Sequence, residues 1–204
     1  MKIYKEDRNL VLFMALGDGY ISKSGNLSIR HSIKQQDYLL WKKRLLEKHH
    51  IKTSEVSYKD NNGYGAYEFY TKTYDFIKLF RKILYTPKKK IFNKKIFNKI
   101  TPLGLYIWYL DDGCLSKKKR NGKVIANELI INTMLSKEEN QIIIDCLKEK
   151  FNISFKQQLN HGLYRLSCGT KEARKFLRII EEYKNEVPSM LYKFDIKPES
   201  YPKG

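Results

Sequence analysis

Two short apolar runs, each closed by an acid and a glycine, constrain this chain more than any other feature. The first is Leu10–Gly19, LVLFMALGDG, and the second is Leu103–Gly113, LGLYIWYLDDG. Neither run has a polar side, so a helix made from either is buried all round. If the two bury each other, their acidic ends lie side by side. A helix C-terminus carries roughly half a negative charge, so Asp18 and Asp112 sit where carboxylates are disfavoured and call for a cation. Oxygen ligands of this kind suit Mg2+, which keeps its waters and takes one or two carboxylates plus substrate phosphates. The glycine after each acid is expected to leave the helix in the left-handed conformation. Asp18 and Asp112 are 94 positions apart in a chain of 204, which predicts two similar halves joined along these helices.

The charge balance indicates what such a molecule meets. Lys and Arg number 40 against 22 Asp and Glu, a formal net charge of +18. That is the electrostatic footprint of a polyanion binder, most simply one of nucleic acid. The basic residues are spread along the chain rather than gathered on one amphipathic helix, which argues against a membrane surface. No signal peptide and no apolar stretch long enough to span a bilayer is expected. Cys114, Cys146 and Cys168 are odd in number, widely spaced and without a metal-ligand pattern, so they read as free thiols in a reducing compartment. An intracellular location, bacterial cytoplasm or organelle matrix, follows. His31, His49, His50 and His161 show no ligand spacing and read as surface or structural residues.

In chain order, Asp7 is the expected N-cap of the first apolar helix. A hairpin over 20–34 turns at Lys23–Asn26, and its second strand alternates apolar and polar residues. An amphipathic helix over 37–49 points Tyr38, Leu39, Trp41, Leu45 and Leu46 to the core. A hairpin over 55–72 closes at Asn61-Asn62-Gly63, and a helix over 74–84 follows. The basic connector Thr86–Lys90 leads to the second copy. Thr101 and Pro102 form an N-cap and N1 pair. A hairpin over 115–133 has a basic tip, Lys117, Lys118, Lys119, Arg120 and Lys123. Ser136 to Glu139 is a capping box that opens a helix to Lys150. A hairpin over 153–168, a helix over 170–183 and an irregular tail complete the chain.

Each half thus reads helix, hairpin, helix, hairpin, helix. The fold class is α+β, with an antiparallel four-stranded sheet in each half and helices on one face. The halves are assigned to 1–90 and 101–204, with 91–100 as linker. The free sheet faces present polar side chains at alternate positions. Arg30, Lys34, Lys59 and Lys72 in the first half and Asn132, Lys156, Gln158 and Arg165 in the second are the DNA-facing candidates. Arg30 and Arg165 suit guanine edges, and Gln158 and Asn132 suit adenine. Lys117–Lys123, at a hairpin tip, suits phosphate.

The two runs resemble the paired signature of the LAGLIDADG homing endonucleases in their single-chain, two-motif form. Gly17-Asp18-Gly19 and Asp111-Asp112-Gly113 fall on the last three positions of that motif. Phe13 and Ile107 stand where the family often has a small residue. The resemblance implies an αββαββα fold in each half and a monomeric, site-specific double-strand DNA endonuclease with a long recognition site. It implies Asp18 and Asp112 as ligands of Mg2+, with Mn2+ able to substitute, aided by Gly17 and Asp111. Lys89 and Lys193 resemble the family's basic active-site residues. The expected rivals are an RNA-splicing maturase on the same fold, with host intron RNA as partner, and a DNA-binding regulator without nuclease activity. The lack of a second domain favours a free-standing intron product.

Overall fold

The computed structural model describes residues 3–61, 63–87, 89–92 and 94–196. Two antiparallel four-stranded sheets, ordered β1-β2-β4-β3 and β5-β6-β8-β7, flank a central pair of helices, α1 (Lys5–Leu16) and α5 (Pro102–Asp112). The fold is α+β and repeats once along the chain. β1 (Tyr20–Ile21), β2 (Leu27–Ser32), β3 (Ser57–Asn61) and β4 (Tyr64–Tyr70) build the first sheet, backed by α2 (Gln36–Lys48) and α3 (Asp75–Leu84). β5 (Gly113–Arg120), β6 (Lys123–Leu135), β7 (Lys156–Asn160) and β8 (Leu163–Gly169) build the second, backed by α6 (Lys137–Phe151) and α7 (Thr170–Ile179). The stretch between the halves is not a free linker. It holds a one-turn helix, α4 (Lys94–Phe97), and buries Phe92, Ile96, Phe97 and Ile100.

The central helices form as their composition dictates. Leu10 to Leu16 and Leu105 to Leu110 are all 4% exposed or less, so both are buried all round. Thr101 caps α5 by accepting from the Gly104 N–H at 3.1 Å, with Pro102 in the first turn. Asp7 is not the N-cap of α1. The helix begins earlier, and Asp7, in its first turn, accepts the Tyr4 N–H at 2.9 Å and faces His49 at 2.6 Å. Close approach of the helices does not need a small residue at 13 or 107. It uses Gly104, where an added Cβ would meet the Phe13 ring at 2.8 Å, and Gly17, where it would meet Asp111 Oδ2 at 2.1 Å.

Gly19 and Gly113 were expected in the left-handed region and are not there; the described glycines with positive φ are Gly25, Gly63, Gly122 and Gly162. The two motif glycines are required for space instead. A Cβ on Gly19 would meet the Met14 carbonyl at 2.5 Å, and one on Gly113 the Tyr109 ring at 2.1 Å. The Ser136–Glu139 capping box opens α6 as expected. The tail is more ordered than expected up to residue 196, with 3-10 turns over Glu181–Glu186 and Pro188–Phe194. Met190, Lys193 and Phe194 are buried, and Ser189 bonds Asp37 of α2, which fastens the end of the second half to the first. Asn62 of the second hairpin turn, Lys88 of the basic connector and residues 197–204 of the tail lie outside the described residues. Among the described residues no helix is long and apolar enough to cross a membrane.

Candidate active site

Asp18 follows the last turn of α1 and Asp112 closes α5, so both acids stand at the same end of the helix pair. Burial, then the neighbouring Asp111, raises the pKa of the Asp18 carboxyl. Burial, then Asp111 and Asp18, pushes Asp112 up to about 7. Asp112 therefore feels Asp18 across the seam between the halves. Among the described residues neither carboxylate accepts a hydrogen bond; the Asp18 carboxylate faces His31 Nδ1, 3.7 Å from Oδ2. Two hard oxygen donors, partly buried and lacking hydrogen-bond donors of their own, fit a divalent cation such as Mg2+.

A lysine sits at each helix end. Lys90 donates to the carbonyls of Gly17 at 2.7 Å and Gly19 at 3.2 Å. Lys193 donates to those of Leu110 at 2.6 Å and Gly113 at 2.7 Å. Each ammonium thus answers the negative end of its helix; Lys90 keeps one proton beyond its two bonds, while Lys193 turns its third to the Tyr109 carbonyl at 3.5 Å. Burial lowers the pKa of both, against the raising effect of the acids. Lys193 is where the sequence predicts a basic site residue. Lys89 is not. Its side chain turns outward to Glu139 at 2.7 Å, half exposed, and the next residue, Lys90, points inward. The correction is one position, because the Tyr85–Lys90 bridge fixes which of the consecutive lysines faces α1.

Asp111 is not a spare acid. Its side chain has no exposed surface. Oδ2 accepts the Asp18 N–H at 3.0 Å, and Oδ1 accepts Tyr38 Oη at 2.8 Å and Lys42 Nζ at 2.6 Å. Burial works to raise its pKa, and Lys42 outweighs that and holds it below the usual value. Asp18, His31 and Asp111 bring ligand-type atoms within 4.8 Å of one another. His31, however, is already committed. Its Nε2 lies 3.1 Å from Lys42 Nζ, which only donates, so the ring carries its proton on Nδ1 and offers no lone pair toward Asp18. Burial, then Lys42, pushes the His31 pKa down to about 3, so the ring is neutral. The Gly17 carbonyl is taken by Lys90, which leaves it one lone pair.

Lys42, His31, Tyr38 and Lys90 were not among the site candidates. The signal for Lys42 was present: it lies one turn beyond Tyr38 on the buried stripe of α2. His31 sits at an inward position of the β2 alternation, Leu27, Ile29, His31.

The DNA-facing candidates divide. Arg30 and Lys59 line one groove on the first sheet, with Arg30 held by the nearly buried Glu68 at 3.1 Å. Lys34 falls in a 3-10 turn after β2, because that strand ends at Ser32. Lys72 lies past the end of β4, in a groove with Glu47 and His50 at the close of α2. On the second sheet, Lys118 reaches Glu128 at 3.2 Å, Glu128 accepts Gln158 at 2.7 Å, and Gln158 accepts Arg165 at 3.2 Å. Asn132 and Lys156 are exposed on that sheet. Lys119, Arg120 and Lys123 are exposed at the β5–β6 tip, while Lys117 pairs with Asp195.

Two matched sheets, a helix-pair seam and an acid at the foot of each helix define the fold of the two-motif homing endonucleases. The chain belongs to the LAGLIDADG DNA endonuclease family, whose profile matches residues 10–176. It is similar to a probable intron-encoded endonuclease of Wickerhamomyces canadensis, 28% identical with 87% of this chain and 79% of that protein covered. It is also 26% identical to a RecA protein of Mycolicibacterium flavescens, with 90% of this chain covered. The chain spans 45% of that relative's length. Among solved structures, the homing endonuclease I-WcaI bound to its DNA recognition sequence matches with a TM-score of 0.78 and 22% identity, covering 97% of this chain and 89% of that one. An I-DmoI variant in complex with its target DNA and 2 mM Mn matches with a TM-score of 0.51 and 14% identity, covering 90% and 97%.

Proposed function

We propose that the protein is a site-specific endonuclease that hydrolyses both strands of DNA at a long recognition sequence. The observation that carries this reading is the pair of acids, Asp18 and Asp112, lacking hydrogen-bond donors at the joined ends of α1 and α5. With the remaining lone pairs of the Gly17 and Asp111 carbonyls, they would hold Mg2+ or Mn2+. When bound, the cation supplies a water of lowered pKa and neutralises charge at the scissile phosphate. Lys90 and Lys193 keep the helix ends in place and set a positive charge beside the phosphate, where negative charge grows, with the third proton of Lys90 left to donate. The sheet faces bind the duplex: Arg30 with Lys59 on one side, and Gln158, Arg165 and Asn132 on the other, lie toward base edges. The β5–β6 tip grips phosphate. One chain carries both acids, so a monomer suffices.

The test is end-mapping of host-type genomic DNA, with any intron removed from its site, incubated with the protein and Mg2+. One dominant cut that EDTA abolishes supports the reading and gives the target. Tight, salt-sensitive binding without any cut would overturn it in favour of the regulator. Accelerated splicing of a host intron that survives Asp18→Asn with Asp112→Asn would instead assign the maturase role.

A further inference from the structure

Lys42 and Asp111 form an ion pair with neither side chain exposed. Burying such a pair is costly unless nearly every polar position on it is filled, so its presence asks for a use. The filled positions all lead to Asp18. One oxygen of Asp111 holds the Asp18 N–H at 3.0 Å, from the opposite half of the molecule. Lys42 braces the other oxygen at 2.6 Å and the His31 ring at 3.1 Å, and that ring turns its Nδ1–H to the Asp18 carboxylate at 3.7 Å. Tyr38 packs against His31 with ring centroids 4.7 Å apart and bonds Asp111 as well. Asp18 is thus held through its backbone by Asp111 and faced on its side chain by His31.

Among the described residues Asp112 has neither hold. Aligning the motifs on their last acids puts Gly17 opposite Asp111, and glycine has no side chain to reach across. The strand register pairs Tyr20 with Ser28 and Cys114 with Ile130, which counts on to match His31 with Thr133. The Thr133 hydroxyl is turned to Asn140 Oδ1 at 2.7 Å and the Tyr164 carbonyl at 3.0 Å. A two-halved molecule that is symmetric in its acids and lysines is therefore asymmetric in what holds them.

We propose that Asp111, braced by Lys42, is a positioning residue for Asp18, so that cleavage of one DNA strand depends on the buried pair and cleavage of the other does not. This rests on the endonuclease reading above. It differs from a merely structural role for the pair, which would affect both strands together.

The variant to make is Lys42→Met with Asp111→Ala, which removes both charges and leaves neither buried alone. The substrate is a supercoiled plasmid carrying the mapped target, with each strand followed separately under single turnover. Failure of the wild-type protein to linearise the plasmid counts against the endonuclease reading, and the positioning is then judged by hydrogen exchange. With the wild type active, nicked circles should accumulate with the double variant. The slow strand should be the one most affected by Asp18→Asn, down about 30-fold, while the other stays within about threefold. Equal slowing of both strands, or no change in either, overturns the proposal. Amide exchange tests it without DNA: the Asp18 amide should exchange about tenfold faster in the double variant, with the Asp112 amide unchanged. Retained protection of Asp18 overturns it. Should the double variant fail to fold, Asp111→Asn keeps the shape and should bias the same strand, and an absence of bias there is equally contrary.

Discussion

The two halves differ most where they leave the shared motif. After Gly19 the first half makes a two-residue strand, Tyr20–Ile21, and turns back at once. After Gly113 the second half runs eight residues out along β5 and returns along a thirteen-residue β6. The longer ribbon ends in Lys119, Arg120 and Lys123, with Lys117 and Lys118 below them. At the helix ends the halves agree instead: an acid at the foot of each, and a lysine on the carbonyls around it. Lys90 and Lys193 come from segments unlike in sequence, PKKKI and PSMLYKF, yet do the same electrostatic work. On the proposed function, the reaction would ask for the same groups at both phosphates, whereas a duplex would present different sequence to each sheet. Symmetry would then be kept for the first purpose and given up for the second.

That comparison can be broken in several ways, and the largest effect is expected at the lysines. On the proposed function, Lys90→Met and Lys193→Met should each lower the cleavage rate by about 100-fold with DNA still bound, because each removes a positive charge beside the two acids. Lys89→Met should leave the rate within about threefold, since that half-exposed side chain turns away from the acids to Glu139 and an outer ion pair is worth little. If Lys89→Met is the damaging one in a cleavage assay, the inward assignment of Lys90 is wrong.

The seam comes next. Gly17→Ala would place a Cβ 2.1 Å from Asp111 Oδ2 and must push that carboxylate off the Asp18 N–H. It should cost about 2 kcal/mol in a denaturant titration, within the range of overpacked cores. Gly63→Ala serves as control for the crowding, since nothing lies within 4 Å there; its positive φ still carries a smaller penalty. Equal losses in the two variants would contradict a tight seam.

The ribbon tip should show in salt dependence rather than chemistry. Replacing Lys119, Arg120 and Lys123 by Gln should flatten the slope of log affinity against log salt by about 3 units, near one per lost phosphate contact. A change no larger than that of Lys23→Gln, at the one basic residue of the first hairpin turn, would erase the contrast between the halves.

The smallest effect concerns the fastening of the tail. Ser189 donates its N–H and hydroxyl to Asp37 at 3.0 and 2.6 Å. Burial works against the Asp37 carboxylate, but these bonds outweigh it and hold its pKa below the usual 3.8. A depressed carboxyl adds stability that is complete above its unfolded value near 4 and is lost as pH falls through the folded one. Wild-type protein should therefore lose more stability than Asp37→Asn on acidification below about pH 4, measured by urea titration at several pH values. Parallel acid responses would remove Asp37 from the account.

Much of this was legible in the sequence. The α+β class, the eight strands and the two buried helices follow from hydrophobic period and turn residues, because burial on all sides or on alternate sides leaves a direct trace. The acids were legible because each stands at the end of an apolar helix. Lys89 against Lys90 was not: three consecutive lysines have no periodicity, and Lys89 and Lys90 are oriented by their backbone bonds to Thr86 and the short bridge to Tyr85. Lys34 and Lys72 were assigned to the sheet face by alternation, and alternation stops where the strand does. The Lys42–Asp111 pair joins positions 69 apart, across the seam, and no local pattern reports a contact of that kind.

The most direct measurement is strand-resolved cleavage of the mapped target by wild type, Asp18→Asn and Asp112→Asn, with Mg2+ and with EDTA, alongside the DNA affinity of each. The account predicts metal-dependent double-strand cutting by the wild type alone, with affinity for DNA retained in both variants. Undiminished double-strand cutting by either variant, or by the wild type in EDTA, would contradict it.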